Sequence, residues 1–160
     1  MRSAIVAALA LPLLAAPPAL GQGTWTTYTD ARGTRIEYPT DVFSVREGAG
    51  EGGVGHVFTT RDGRARLHMY SIPNPKALSP AAFMRSQFPG QRSSLSYDRE
   101  ARNFFAISRR RGPLIAYLRC NFSQNAGGTL HCVDLRYPAS EKRAWDGIVT
   151  RISRSVRPLP

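Results

Sequence analysis

Polar and apolar residues alternate with a period of two along most of this chain, and twice they switch to a helical period. The first alternating block is Trp25-Thr26-Thr27-Tyr28-Thr29, a turn at Asp30-Ala31-Arg32-Gly33, then Thr34-Arg35-Ile36-Glu37-Tyr38. Ile36 and Tyr38 share one face, Arg35 and Glu37 the other, which predicts a half-buried hairpin ended by Pro39. A second hairpin is predicted from His56–Thr60 and Ala65–Ser71 around Arg61-Asp62-Gly63-Arg64, because Asp-Gly tolerates positive φ at both central positions. Ala65, Leu67 and Met69 then face one way, and Arg66, His68 and Tyr70 the other. Further strands are expected around Ser93–Tyr97 and Asn103–Ser108, followed by a turn at Arg109-Arg110-Arg111-Gly112-Pro113. The last pair is Leu114–Cys120 with Leu130–Tyr137.

The helical stretches are as distinct. Ser79 can cap the free amides of Pro80–Phe88, and proline suits the first turn, where its missing N–H costs nothing. Phe83, Met84 and Phe88 form a short apolar face, and Pro89-Gly90 stops it. After Pro138-Ala139-Ser140, with Ser140 as the expected cap, Trp145, Ile148, Val149 and Ile152 fall at i, i+3, i+4 and i+7, one stripe of a surface helix. A short strand over Ser153–Val156 is expected to close the chain. Strand pairs with single helices between them predict an α+β domain: a single antiparallel sheet of about six to eight strands flanked by two main helices.

The N-terminus sets the compartment. Met1-Arg2-Ser3 is a short basic start, Ala4–Leu14 is apolar apart from Pro12, and Ala19-Leu20-Gly21 offers small residues at the positions a signal peptidase reads. Residues 1–21 are therefore expected to be a secretory signal cleaved before Gln22. The apolar run is short for a membrane anchor. Residues 22–160 suffice for one domain with a single core, periplasmic or secreted, without a transmembrane segment.

Export changes how the two cysteines read. In an oxidising compartment Cys120 and Cys132 predict a disulfide, and the polar, Gly-rich Asn121–Thr129 between them reads as a hairpin connection. A turn centred on Ala126 puts the cysteines opposite each other and sets Ile115, Tyr117 and Arg119 against Tyr137, Leu135 and Val133. Such a staple contributes on the order of 3 kcal/mol through the unfolded state.

The formal charge is +11, and losing Arg2 with the leader makes it +10; all but two of the 22 basic residues are Arg. Such a surface attracts anions. The charges are scattered, as they are where Arg serves as the default solvent-facing residue, and export argues against nucleic acid as the partner. The densest cluster, Arg109-Arg110-Arg111, reads either as a solvated hairpin tip or as an anion-binding clamp in which guanidiniums grip carboxylate, sulfate or phosphate.

Specific chemistries find little support. Gly48-x-Gly50-x-x-Gly53 has the letters of a dinucleotide-binding turn, but Val54–Thr60 alternates like a strand where a helix N-terminus is needed. No acidic residue stands about 20 positions on for the ribose, so the segment reads as a loop. His56, His68 and His131 each sit alone in a strand, without metal-like spacing. No Gly-x-Ser-x-Gly elbow occurs, and Glu37 and Asp134 look like exposed or ion-paired strand residues. No catalytic, metal or cofactor residue is assigned.

Trp25-x-x-Tyr28, Tyr38-Pro39-x-Asp41-Val42-Phe43, Phe58-x-x-x-Asp62-Gly63-x-Ala65-x-Leu67, Tyr137-Pro138 and Trp145-Asp146-x-Ile148-Val149-x-Arg151-Ile152-x-x-Ser155 together resemble a group of small exported alphaproteobacterial proteins of unknown function. The chain departs from that group's Ser-Gly turn at Ser108, which Arg109 follows. The resemblance implies a PsbP/Mog1-like α-β-α sandwich, used mostly for binding and assembly. The functional expectation is a non-enzymatic exported binding or accessory protein presenting a basic sheet face or turn to an anionic envelope component or protein; the alternative is a small envelope-polymer hydrolase. Intact-mass analysis of protein purified from the exporting cell is expected to show a chain starting at Gln22 and lacking two hydrogens; a retained leader with two free thiols would contradict both readings.

Overall fold

The computed structural model describes residues 23–50, 55–123 and 128–158. The expected signal segment, Ala126 and residues 51–54 of the glycine stretch lie outside them.

The first hairpin forms as its alternation requires. β1 (Trp25–Thr29) pairs with β2 (Thr34–Pro39), Tyr28 opposite Ile36 and Thr26 opposite Tyr38. Ile36 and Tyr38 point into the core. β3 (Val45–Gly48), which the sequence pattern does not announce, and β4 (His56–Thr59) flank the glycine-rich segment. A strand therefore stands on each side of it, and no helix follows. Gly55, at φ +70°, must be glycine, because a Cβ there would sit 1.9 Å from the Met69 carbonyl oxygen. β5 (Arg66–Pro73) pairs with β4 and, over its whole length, with β9. Leu67 and Met69 are buried on one face, as the pattern predicts.

α1 (Pro80–Gln87) begins as expected, with the Ser79 hydroxyl accepting from the Ala82 amide at 3.2 Å. The next segment is shifted from its expected place. Arg92–Ser94 is a single 3-10 turn, and the strands are β6 (Tyr97–Glu100) and β7 (Phe104–Arg111). Arg109, Arg110 and Arg111 thus belong to a strand and not to a turn. The turn is Gly112-Pro113 alone, with Gly112 at φ +58°, so Arg111 still pairs with Leu114. A two-residue turn led by glycine matches the twist of the ladder and lets pairing run to its tip. β8 (Leu114–Phe122) and β9 (Thr129–Pro138) take the predicted register: Ile115 opposite Tyr137, Tyr117 opposite Leu135, Arg119 opposite Val133, Cys120 opposite Cys132. The two sulfurs are 2.06 Å apart, at bonding distance, and both residues are buried.

α2 (Lys142–Ser155) extends past the expected helix end. Ser140 does not cap it; Ala139–Glu141 forms a 3-10 turn that leads in, and no side chain caps the N-terminus. The terminal strand is β10 (Arg157–Pro158) and not Ser153–Val156. Val156 is buried, and the Ser155 hydroxyl donates to the Ile152 carbonyl while accepting from the Glu37 amide, which draws the last turn onto β2.

The expected single sheet is two sheets. A seven-stranded antiparallel sheet has the order β3-β4-β5-β9-β8-β7-β6, and a separate sheet has the order β1-β2-β10. β10 occupies the edge of β2 that a neighbour in the larger sheet would need, and the chain turns away after Pro39, where the Phe43 amide bonds the Pro39 carbonyl at 3.0 Å. The small sheet and α2 lie side by side over one face of the large sheet. They enclose Ile36, Tyr38, Phe58, Leu67, Met69, Val133, Leu135, Tyr137, Trp145, Ile148 and Ile152. α1 covers the other face and sets Met84 against Phe105, Ile107, Leu130 and the disulfide. Replacing fully buried Ile152 with Ala should cost about 2–5 kcal/mol. Replacing both cysteines with Ala should cost on the order of 3 kcal/mol. Urea unfolding of each variant checks these values.

Candidate functional site

The sheet register carries two Tyr-x-Arg pairs to one face. Tyr97 and Arg99 lie on β6, and Tyr117 and Arg119 on β8. Between them β7 contributes Ser108, opposite both tyrosines, and Ala106, opposite both arginines. Two strand spacings, about 10 Å, separate the rows, and the small residues of β7 leave a trough between them. α2 walls the trough from above with Lys142, Asp146, Val149, Thr150, Ser153 and Arg154, giving a groove of about 310 Å³.

Several contacts hold its shape. The Tyr117 hydroxyl is hydrogen-bonded to Ser153 Oγ at 2.7 Å, tying β8 to α2. Tyr137 stacks on Trp145 with centroids 5.5 Å apart. The Arg119 guanidinium lies 3.9 Å from the Phe104 ring centroid and donates from Nε to Asn121 at 2.9 Å; Arg99 approaches the same ring at 5.8 Å. Cation–π contact of this kind steadies a guanidinium without neutralising it. Lys142 is paired with Asp146 at 2.9 Å. Arg99, Arg119 and Arg154 make no ion pair with any carboxylate among the described residues. Burial lowers the Arg119 pKa from its ordinary value, yet a guanidinium stays charged. Burial raises the Tyr117 pKa, and burial with the Asp146 charge pushes Tyr137 to about 12. Both phenols are therefore neutral O–H groups.

A larger, shallower depression of about 600 Å³ adjoins the groove across Asp146, Thr150 and Arg154. Its other cations, Arg151 and Arg157, are each 3.7 Å from Glu37 and share that one carboxylate, which offsets part of their charge. The smaller groove therefore holds the more unpaired positive charge.

Of the predicted clamp, strand alternation leaves Arg110 on the groove face and turns Arg109 and Arg111 to the α1 face. Arg109 donates to the Gln91 side chain at 2.9 Å, and Arg110 donates to the Gly112 carbonyl at 3.1 Å. The three do not converge on one point. Glu37 pairs with two arginines and Asp134 with Arg136 at 3.4 Å, as their sequence context suggests. The groove residues were missed because sequence gives each Tyr-x-Arg pair separately. The legible signal was the repeat of that pattern in two strands, one strand apart.

Buried polar groups form a second cluster. Asp30 accepts from the Thr34 amide at 2.8 Å and from Ser71 Oγ at 3.1 Å; Ser71 is hydrogen-bonded to Thr34 Oγ1, and Thr34 Oγ1 lies 2.7 Å from His131 Nδ1. Thr34, Ser71 and His131 are all nearly solvent-free. Ser71 and His131 face each other across β5 and β9, but Thr34 Oγ1 links them and no hydrogen bond joins that serine to imidazole directly. At the other ring nitrogen Ser123 Oγ is 3.2 Å away, but it donates to the Thr129 carbonyl at 2.8 Å. The cluster joins the small sheet to the large one. His56 packs edge-on to Tyr28 and His68 lies against Tyr70.

This arrangement of layers is PsbP-like. The solution structure of cyanobacterial PsbP (CyanoP) from Synechocystis sp. PCC 6803 matches with a TM-score of 0.59, covering 91% of this chain and 98% of that one at 15% identity. No family model matches the sequence, and no curated protein is similar to it. At that identity the likeness defines a fold and not a ligand.

Burial lowers the His131 pKa, with Asp30 opposing in part, and burial and then Arg46 lower that of His56. Below the ordinary histidine value of about 6.5, the unfolded chain binds protons that the folded chain refuses. Stability is therefore full above that value and is lost as pH falls through the lowered one. Urea midpoints across mildly acidic pH should decline, and the His56→Asn/His131→Asn double variant should flatten the decline. An unchanged slope would place the acid sensitivity elsewhere.

Proposed function

We propose that the protein is an exported, non-enzymatic binding module that captures an anionic partner in the groove between α2 and strands β6–β8. The observation that carries this reading is the set of three guanidiniums, Arg99, Arg119 and Arg154, gathered around one concavity without a carboxylate partner among the described residues. Like charges so placed repel one another, and a bound anion relieves that repulsion while forming charge-assisted hydrogen bonds. Export is supported by the leader pattern and by the disulfide, a bond that persists in oxidising compartments. An envelope component is the partner that compartment offers.

The alternative of a hydrolase draws on the Asp30–Ser71–Thr34–His131 chain. Catalysis would need a serine that gives its proton to imidazole at an accessible surface; here Thr34 intervenes between Ser71 and His131 within a buried cluster, and Ser123, 3.2 Å from Nε2, donates instead to the Thr129 carbonyl. Binding is the better supported reading.

The oxidised protein should bind dextran sulfate and not neutral dextran, with affinity falling as salt rises. Arg99→Gln, Arg119→Gln and Arg154→Gln should each weaken that binding about tenfold, the worth of one charged hydrogen bond. Neutralising Arg109, Arg110 and Arg111 together should weaken it less. Calorimetric titration checks both series; loss in the second series alone would move the site to the end of β7, and binding indifferent to salt would remove the reading.

A further inference from the structure

The groove's lining also restricts what kind of anion fits, given the anion-binding reading above. Val149 is the single aliphatic side chain among the described lining residues, and the remaining apolar surface is made of phenol rings and the stems of Arg and Lys. A fatty acid or lipid tail would find no apolar channel there, whereas small-ligand sites for such groups are mostly apolar. Instead the lining offers three phenol rings and the hydroxyls of Ser108 and Thr150. Tyr97 and Tyr117 stand on either side of Ser108, two strand spacings apart, a gap of about 10 Å at the backbone that takes one saturated ring between aromatic walls. Its volume of about 310 Å³ is at the small end for a ligand site but far exceeds a bare sulfate or phosphate.

The second restriction is the sign pattern. Asp146 puts a carboxylate into the same groove as the three free guanidiniums. An ion with acceptor oxygens alone is attracted by Arg99, Arg119 and Arg154 but gains nothing from Asp146, whose two oxygens accept from Lys142 Nζ at 2.9 Å and keep lone pairs for further donors. A ligand carrying both an acidic group and hydroxyl donors satisfies both, because a carboxylate accepts from hydroxyls. Tyr117 and Tyr137, kept protonated, add weaker polar contacts that suit hydroxyls.

We infer that the groove recognises a single acidic sugar unit, a hydroxylated six-membered ring bearing one carboxylate or phosphate, seated between Tyr97 and Tyr117 with its acid on Arg99, Arg119 and Arg154 and its hydroxyls toward Asp146. Free sugar acids and the exposed ends of acidic polysaccharides share this chemistry.

The test is a titration of the oxidised, isotope-labelled protein, followed by amide shifts at constant ionic strength. The probes are glucuronate, glucose 6-phosphate, glucose, acetate and inorganic phosphate. Either acidic sugar should bind about tenfold more tightly than glucose and than its matching simple anion, with shifts centred on 97–99, 117–119 and 146–154. Preference between glucuronate and glucose 6-phosphate identifies the acid, and a terminally uronylated oligosaccharide binding as well as the monosaccharide identifies a polymer end as the source. Tyr97→Ala, at an exposed position, should weaken glucuronate and glucose 6-phosphate to the level of acetate and inorganic phosphate, abolishing the preference for sugar acids over simple anions. Asp146→Asn should tighten inorganic phosphate and narrow the same preference. Equal binding of glucuronate and acetate, or equal weakening of inorganic phosphate and glucose 6-phosphate by Tyr97→Ala, overturns the sugar assignment and leaves the anion reading standing. Failure of every anion, dextran sulfate included, overturns both.

Discussion

The β8–β9 ladder is the constraint on which the rest depends. It runs from Leu114 opposite Pro138 to Phe122 opposite Leu130, and Cys120–Cys132 locks it near one end. Side chains alternate across a sheet, so a slip of one residue would exchange the two faces completely. Tyr117 and Arg119 would then turn toward α1, and Leu118 and Cys120 toward the groove. With the ladder fixed, β5 and β7 add on either side, and their alternation follows. The separation of an aromatic, disulfide-bearing core under α1 from a larger core under α2 is a consequence of this one register.

The small sheet is a different kind of addition. It does not share a ladder with the large sheet and is held by packing and by buried polar contacts. Ile36 and Tyr38 supply the apolar part, with Tyr38 and Phe58 rings 4.7 Å apart. The Asp30–Ser71–Thr34–His131 chain supplies the directional part. Buried hydrogen bonds contribute modestly when made, about 1 kcal/mol each, and cost more when one partner is lost. Such a cluster fixes one placement of β1–β2 against β5 and β9 and penalises others. Thr34, Ser71 and His131 are buried together, with Thr34 between serine and imidazole in the hydrogen-bonded chain and half-buried Asp30 at its end.

The groove shows how a charge excess that looks scattered in sequence acquires a focus. Glu37 answers Arg151 and Arg157, Asp134 answers Arg136, and Arg92 reaches Asp98 and Glu100. Apart from Asp146, which Lys142 holds, these paired carboxylates lie outside the groove, and the guanidiniums left over between α2 and β6–β8 stand together. Phe104 stabilises two of them in place without cancelling their charge. The PsbP-like fold provides the sheet and helix that bring these residues together but hosts no chemistry by itself.

Local pattern alone determined the two helices, both outer hairpins, the pairing of Cys120 with Cys132 and the register beside it. Each of those rests on a period or a turn within a few tens of residues. Sequence also announced the strand character of His56–Thr59, which separates the glycine-rich segment from a nucleotide-binding turn. Tertiary structure decided the rest. The division into two sheets depends on β10 reaching β2 across more than a hundred residues, a contact with no local signature. Arg109–Arg111 looked like a turn because three like charges suit an exposed tip, yet Gly112-Pro113 suffices to reverse the chain, and pairing takes the arginines into β7. The groove needed three strands in order and a helix laid over them before Tyr97, Arg99, Arg119 and Arg154 could meet. Alternation tells which residues share a face of one strand; which strands are neighbours, and what covers them, is settled by long-range packing.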